Sequence, residues 1–276
     1  MGRGILQPGR CLRLAACMAA AAMLAGMSLR LDAQTSVRLE YYGDPLPEKD
    51  MEKIRKIISY EASFYSGFGI RDTVYMKLYV YEDKNDARIL AERLAGKSLD
   101  LRYTGGMYFP KENTAIITGL KEQRERNIAV VCHEMSHHFV RKLMDDPPAW
   151  LNEGLSEYFE HCTAGRKGVS HSMTGYELGR IRSAYMLGEV DLKSFMQTPY
   201  SAFMHRQRTD EQYSYVMAHA LVAFLIEEAP DSVLEGIVGA FRSRSSRPED
   251  VAGLLDSIYP GGFSAFETDF REYVSE

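Results

Sequence analysis

Between Val130 and Met144 an apolar stripe at helical spacing is interrupted by two imidazoles. In Val130-Val-Cys-His-Glu-Met-Ser-His-His-Phe-Val140 and on to Met144, stepping 100° per residue puts Val130, His133, His137, Val140 and Met144 within an arc of roughly 80°. A helix with histidines on its apolar face must turn that face toward a cleft or core where both rings find partners. His133 and His137 stand about one turn apart on the same side and can reach a single ion. Glu134, one step round from His133, would sit beside such an ion, placed to take a proton from a water there. Alone, the pair also suits two hydrogen-bonded core histidines. A third ligand has to decide.

Catalytic zinc takes three protein ligands and leaves one position for water. Downstream, Asp146-Pro-Pro-Ala-Trp-Leu-Asn-Glu-Gly-Leu-Ser-Glu-Tyr-Phe-Glu160 reads as a helix with Asp146 as its N-cap and Pro147 and Pro148 in its first turn. On it Trp150, Glu153, Glu157 and Glu160 share one face, and Leu151, Leu155, Tyr158 and Cys162 take the other. A carboxylate row is ordinarily a solvated surface, but the only Trp of the chain lies within this one.

The rest of the chain supplies the frame. Arg3, Arg10 and Arg13 precede the uncharged run Leu14–Leu29, too short to cross a bilayer comfortably, and Ala33 follows as a small residue for cleavage. Residues 1–33 therefore read as a secretory signal, and 34–276 as the mature protein, exported to the periplasm or beyond, with no stable membrane insertion after cleavage. The formal charge is −5, so there is no basic footprint for nucleic acid. Cys11 and Cys17 leave with the signal; Cys132 and Cys162 remain, as buried free thiols or one disulfide. Helices are expected over Leu46–Ser66 and from Asp83 through Leu94, a strand over Val74–Tyr81, and a hairpin pairing Met107–Phe109 with Ala115–Thr118. Everything from Lys121 onward looks helical, over 121–144, 147–162, 176–187, 211–228, 231–243, 248–258 and 263–274. The expected class is α+β: a small N-terminal mixed sheet with helices in an α/β lobe to about residue 145, then a mainly helical lobe over 146–276.

His133-Glu-Met-Ser-His137, fifteen intervening residues, then Trp150-Leu-Asn-Glu-Gly154 resembles the gluzincin metallopeptidase arrangement, and within it the bacterial peptidase MA-like family. The resemblance covers roughly residues 74–230. It implies a zincin-like fold with an active-site helix, a single Zn2+ held by His133, His137 and Glu153, Glu134 as general base, and a peptide or protein substrate. It also implies that Glu157, four residues after the third ligand, accepts a hydrogen bond from a ligand imidazole; Glu160 is left without a role. The segment Glu211–Leu225 resembles the later Tyr-bearing helix of the family, which makes Tyr215 the donor to the oxyanion, with Tyr213 and His219 as alternatives. Where aminopeptidases of the clan carry Gly-x-Met-Glu-Asn, this chain has Gly105-Gly-Met-Tyr-Phe109. The missing glutamate favours an endopeptidase, with an edge strand near 105–118 free to pair with extended peptide. His138 points about 100° away from the ligand face, and His161, His171 and His205 lie in loops or at helix ends, so each of the four reads as a surface histidine. Two alternatives stay open: a catalytically silent, zinc-stabilised binding or scaffold protein of the cell envelope, and a hydrolase of nonpeptide substrates.

Overall fold

Alternation decides the sheet. In Val74-Tyr-Met-Lys-Leu-Tyr-Val80, Val74, Met76, Leu78 and Val80 are fully buried and the residues between them half-exposed, the pattern of a strand with two unlike faces. The computed structural model describes residues 35–276 apart from 102–103, 211 and 244–249; the signal segment read at 1–33 lies outside the described residues. Strand β1 is Val37–Gly43, helix α1 Glu48–Gly67, β2 Val74–Val80, α2 Lys84–Ala95, β3 Gly106–Phe109, β4 Thr114–Ile117 and α3 Leu120–Leu143. The sheet order is β1-β2-β4-β3, with β1 and β4 parallel to β2 and β3 antiparallel to β4. The expected hairpin is present, and β3 is an edge strand.

One face of the sheet packs Val74, Met76, Leu78 and Val80 against Ile54, Ile57 and Ile58 of α1 and Val131, Met135 and Phe139 of α3. The other sets Tyr79, Met107, Phe109 and Ile116 on Ala87, Leu90 and Ala91 of α2. The two helices of the first face are pinned together by Tyr65, whose ring stacks on Phe139 at 4.8 Å and whose hydroxyl meets Ser136 Oγ at 2.7 Å. α2 begins at the expected cap, Asp83, whose side chain accepts from the Asn85 amide.

The remainder is mostly helical: α4 (Ala149–Glu160), α5 (Gly175–Leu187), α6 (Leu192–Met196), α7 (Tyr200–Thr209), α8 (Tyr213–Glu227), α9 (Asp231–Phe241), α10 (Val251–Ile258) and α11 (Gly262–Ser275). The protein is thus α+β with a small mixed sheet and mostly helices. Three expectations need correction. Asp146 is not the N-cap of α4; Pro148 is, at φ −62° and ψ 148°, because the Pro147-Pro148 pair holds extended backbone and delays the first turn. The same helix stops at Glu160, since Cys162–Gly165 (β5) and Gly168–His171 (β6) form a hairpin inside a region expected to be wholly helical; Gly168, at φ 128°, makes its tight turn possible. Finally, α6 and α7 fall between the expected helices at 176–187 and 211–228, where no separate helix was delimited. Among the described residues no helix is long and apolar enough to cross a membrane.

α4 is buried on nearly every side because α3 covers one flank and α8 the other. The α4–α8 contact is close at Gly154, where an added Cβ would meet the carbonyl oxygen of Ala218 and lie 2.6 Å from Val222 Cγ2. Gly154→Ala should therefore push the helices apart and destabilise the protein by about 1–3 kcal/mol, the usual cost of overpacking. Urea unfolding checks this, and an unchanged midpoint would show that the contact yields freely.

Candidate metal centre

Where α3 crosses α4, both imidazoles of the α3 stripe face the carboxylate of Glu153. His133 Nε2 lies 3.6 Å and His137 Nε2 3.7 Å from Glu153 Oε2. That oxygen is buried and has no hydrogen-bond partner. The surroundings assign the tautomers. Asn152 donates its amide to Glu153 Oε1 at 3.3 Å, so its Oδ1 is the atom facing His137 Nδ1 at 3.2 Å. Ser156 Oγ donates to the Asn152 carbonyl at 3.0 Å and stands 3.1 Å from the same ring nitrogen. Both neighbours accept there, so Nδ1 of His137 carries the proton and Nε2 presents a lone pair. Nδ1 of His133 lies 2.9 Å from Glu160 Oε2 and 3.4 Å from Glu157 Oε1, within ion-pair distance of both but with hydrogen-bond geometry to neither.

His133 Nε2, His137 Nε2 and Glu153 Oε2 thus converge on one point. Ligands held about 2.0–2.2 Å from a tetrahedral ion lie about 3.4 Å from one another, close to the separations seen. His133, His137 and Glu153 can hold a metal ion.

The electrostatics point the same way. Burial pushes the Glu134 carboxyl up to about 8, with the charges of Glu153 and Glu160 adding to the effect against His133. Glu157 is likewise pushed well up by burial and by Glu160. Burial would lower His133, but the neighbouring carboxylates of Glu153, Glu160 and Glu157 outweigh that and hold it well above the ordinary imidazole value, so that without an ion the ring itself carries positive charge there. Carboxylates crowd the spot and positive charge is favoured there.

Tyr215, on α8, comes to the same place. Its ring centroid is 6.3 Å from that of His133, and burial followed by the charges of Glu153 and Glu157 raises its phenol well above the usual range. It stays protonated and able to donate. Its rivals lie elsewhere: Tyr213 is covered by the Arg206 guanidinium, 3.7 Å from its ring centroid, and His219 is engaged in a separate buried network. Tyr200, not singled out from the sequence, also feels the charges of Glu153 and Glu134.

Several surface assignments are corrected. His138 is buried, its Nδ1 2.5 Å from the Tyr108 hydroxyl, because β3 covers the flank of α3 that periodicity alone would leave to solvent. His171 and His161 are drawn inward by the β5–β6 hairpin and the end of α4. His219 Nδ1 meets Glu177 Oε1 at 2.7 Å, His219 Nε2 meets His171 Nε2 at 2.7 Å, and His171 Nδ1 meets Glu227 Oε1 at 2.6 Å. His161 Nδ1 is 2.9 Å from the Glu157 carbonyl. Glu157, His161 and His219 are also near enough to share an ion, but both nitrogens of His219 already have partners. Only His205 is exposed as expected. Cys132 and Cys162 are buried free thiols. Glu160, left without a role, is nearer His133 Nδ1 than Glu157 is.

No family model, no curated protein and no solved structure matches this chain.

Glu153→Ala should abolish stoichiometric metal binding and lower the melting temperature, since part of the folding free energy of a metal-holding protein is the metal's. Glu160→Gln should weaken metal binding by about 10–100-fold, the usual effect of removing a carboxylate behind a ligand imidazole, and more than Glu157→Gln does. Metal titration of the three variants by calorimetry distinguishes these outcomes; equal effects of the two glutamines would remove the ranking.

Proposed function

We propose that the mature chain is an exported zinc peptidase of gluzincin type with a zincin-like fold, acting on internal peptide bonds. The observation that carries the reading is the convergence of His133 Nε2, His137 Nε2 and an unpartnered Glu153 oxygen beside a further carboxylate, Glu134, which is not part of that donor set. Two imidazoles and a carboxylate are a donor set suited to zinc. A zinc ion held there would supply Lewis-acid polarisation of a carbonyl and acidify a water.

The chain's own residues do the rest. Glu134 accepts the proton of the attacking water and passes it to the departing amine. Its carboxylate lies against the edge strand: a Cβ on Gly106 would be 2.7 Å from Glu134 Oε1, so only glycine lets strand and base approach so closely. Gly105 accepts from the Thr118 amide at 2.9 Å. By the antiparallel alternation, Gly106 and Tyr108 then present their N–H and C=O groups at the open edge. An extended peptide pairing there would lay its backbone alongside Glu134. Tyr215 donates to the oxygen that gains negative charge. Nothing in this arrangement needs a free substrate amino terminus, which favours internal cleavage.

Glu134→Gln keeps shape and the three ligands. Metal content and melting temperature should stay near wild type while hydrolysis of a peptide library falls by at least about 10²-fold. A scaffold protein would hydrolyse nothing before or after the change; loss of the metal would make Glu134 a ligand. Tyr215→Phe should lower turnover by roughly 10²-fold with little change in KM, and unchanged turnover would remove Tyr215 from the reaction.

A further inference from the structure

β3 and α3 run side by side in the same direction. Gly106 lies against Val130 and Glu134, and Tyr108 reaches His138 one turn further along. Past these contacts, where the β3–β4 turn comes level with the last turn of α3, a cleft of about 290 Å³ opens, lined in part by Tyr108, Lys111, Asn113, Arg141 and Lys142. Its three cations are exposed, and none forms an ion pair among the described residues. Arg141 and Lys142 complement the α3 C-terminus, as basic residues there commonly do. Lys111 comes from a different element, the turn that Asn113 closes in a left-handed conformation at φ 46°. Three unpaired positive charges thus meet from two directions in a chain whose formal charge is −5.

Resting on the reading that a peptide pairs with β3, we infer that this cleft binds a carboxylate of that peptide and makes it the main determinant of which peptides are held. Arg141 is seven residues along α3 from Glu134, about 10 Å of helix. Extended peptide advances about 3.3 Å per residue, so the carboxylate sits about three residues from the bond beside Glu134. Lys and Arg bind carboxylates by charge-assisted hydrogen bonds, and exposed pairs of this kind weaken as salt rises. An acidic side chain and a free C-terminal carboxylate offer the same chemistry.

The test uses the metal-loaded mature protein carrying Glu134→Gln, so that bound peptide is not consumed, and three labelled decapeptides read by fluorescence anisotropy. One carries acidic side chains and an amidated C-terminus, one is neutral with a free C-terminus, and one is neutral and amidated. At least one carboxylate peptide should bind about tenfold tighter than the neutral amidated one at low salt, and whichever arm does so names the source. The preference should vanish in Lys111→Gln/Arg141→Gln/Lys142→Gln and at high salt. Because two of these residues end a helix, Lys111→Glu alone provides a second variant and should reduce the preference with the melting temperature unchanged. Equal binding of all three peptides, or a preference that survives both variants, overturns the inference. Carboxylate-selective binding with no hydrolysis by the unsubstituted protein would instead overturn the peptidase reading and leave the cleft standing.

Discussion

An arrangement of two imidazole nitrogens and a carboxylate oxygen aimed at one buried point holds together only when positive charge sits among them, on a proton or on an ion. Holding it requires rigid support on every side. Asn152 and Ser156 fix one ring by hydrogen bonds, and the carboxylates of Glu160 and Glu157 flank the other. α4 can deliver Glu153 at the right height only because Gly154 lets α8 close against its back. The same closeness brings Tyr215 to the site, so the packing of α4 on α8 and the position of the candidate donor are one structural decision. Core density and site chemistry here share the same residues.

Acidic groups dominate the surrounding interior. Besides Glu134, Glu153, Glu157 and Glu160, Glu61 on α1 is fully buried with neither oxygen partnered, and burial pushes its pKa well up. A second group, Glu177, His219, His171 and Glu227, satisfies itself through successive hydrogen bonds and ends at the Tyr273 hydroxyl, 2.8 Å from Glu227. The second network closes on its own hydrogen bonds, whereas the first leaves Glu153 Oε2, His133 Nδ1 and both Glu61 oxygens without one.

What could be read in advance was what repeats locally. The four-residue spacing of His133 and His137 and the face shared by Glu153, Glu157 and Glu160 depend only on helical periodicity, and β2 was legible from its β-branched and aromatic content. The roles of Asn152 and Ser156 were not legible, because they act across the crossing of α3 and α4 and not along either helix. Glu160 was passed over for the same reason: which carboxylate reaches His133 Nδ1 depends on how the helices cross. The β5–β6 hairpin was missed because Cys162–Gly165 and Gly168–His171 hold few β-branched and no large aromatic side chains, unlike the equally short β3 and β4, and with it went the burial of His171 and His161. His138 was misplaced because a strand from 30 residues upstream covers it. In each case the missing information was tertiary contact.

Cys132 stands immediately before a candidate ligand, where a thiolate would compete for any soft metal and invite oxidation. Its surroundings prevent this. The side chain is buried, and burial followed by the charges of Glu61 and Glu160 raises its pKa well above that of a free thiol; Cys162 is raised to about 12, chiefly by burial. Only the thiolate is strongly nucleophilic or a good ligand. The carboxylate-rich interior that asks for a cation thus also keeps its sulfur inert, so the folded chain can meet an oxidising environment with two reduced cysteines at its centre and no need of a disulfide.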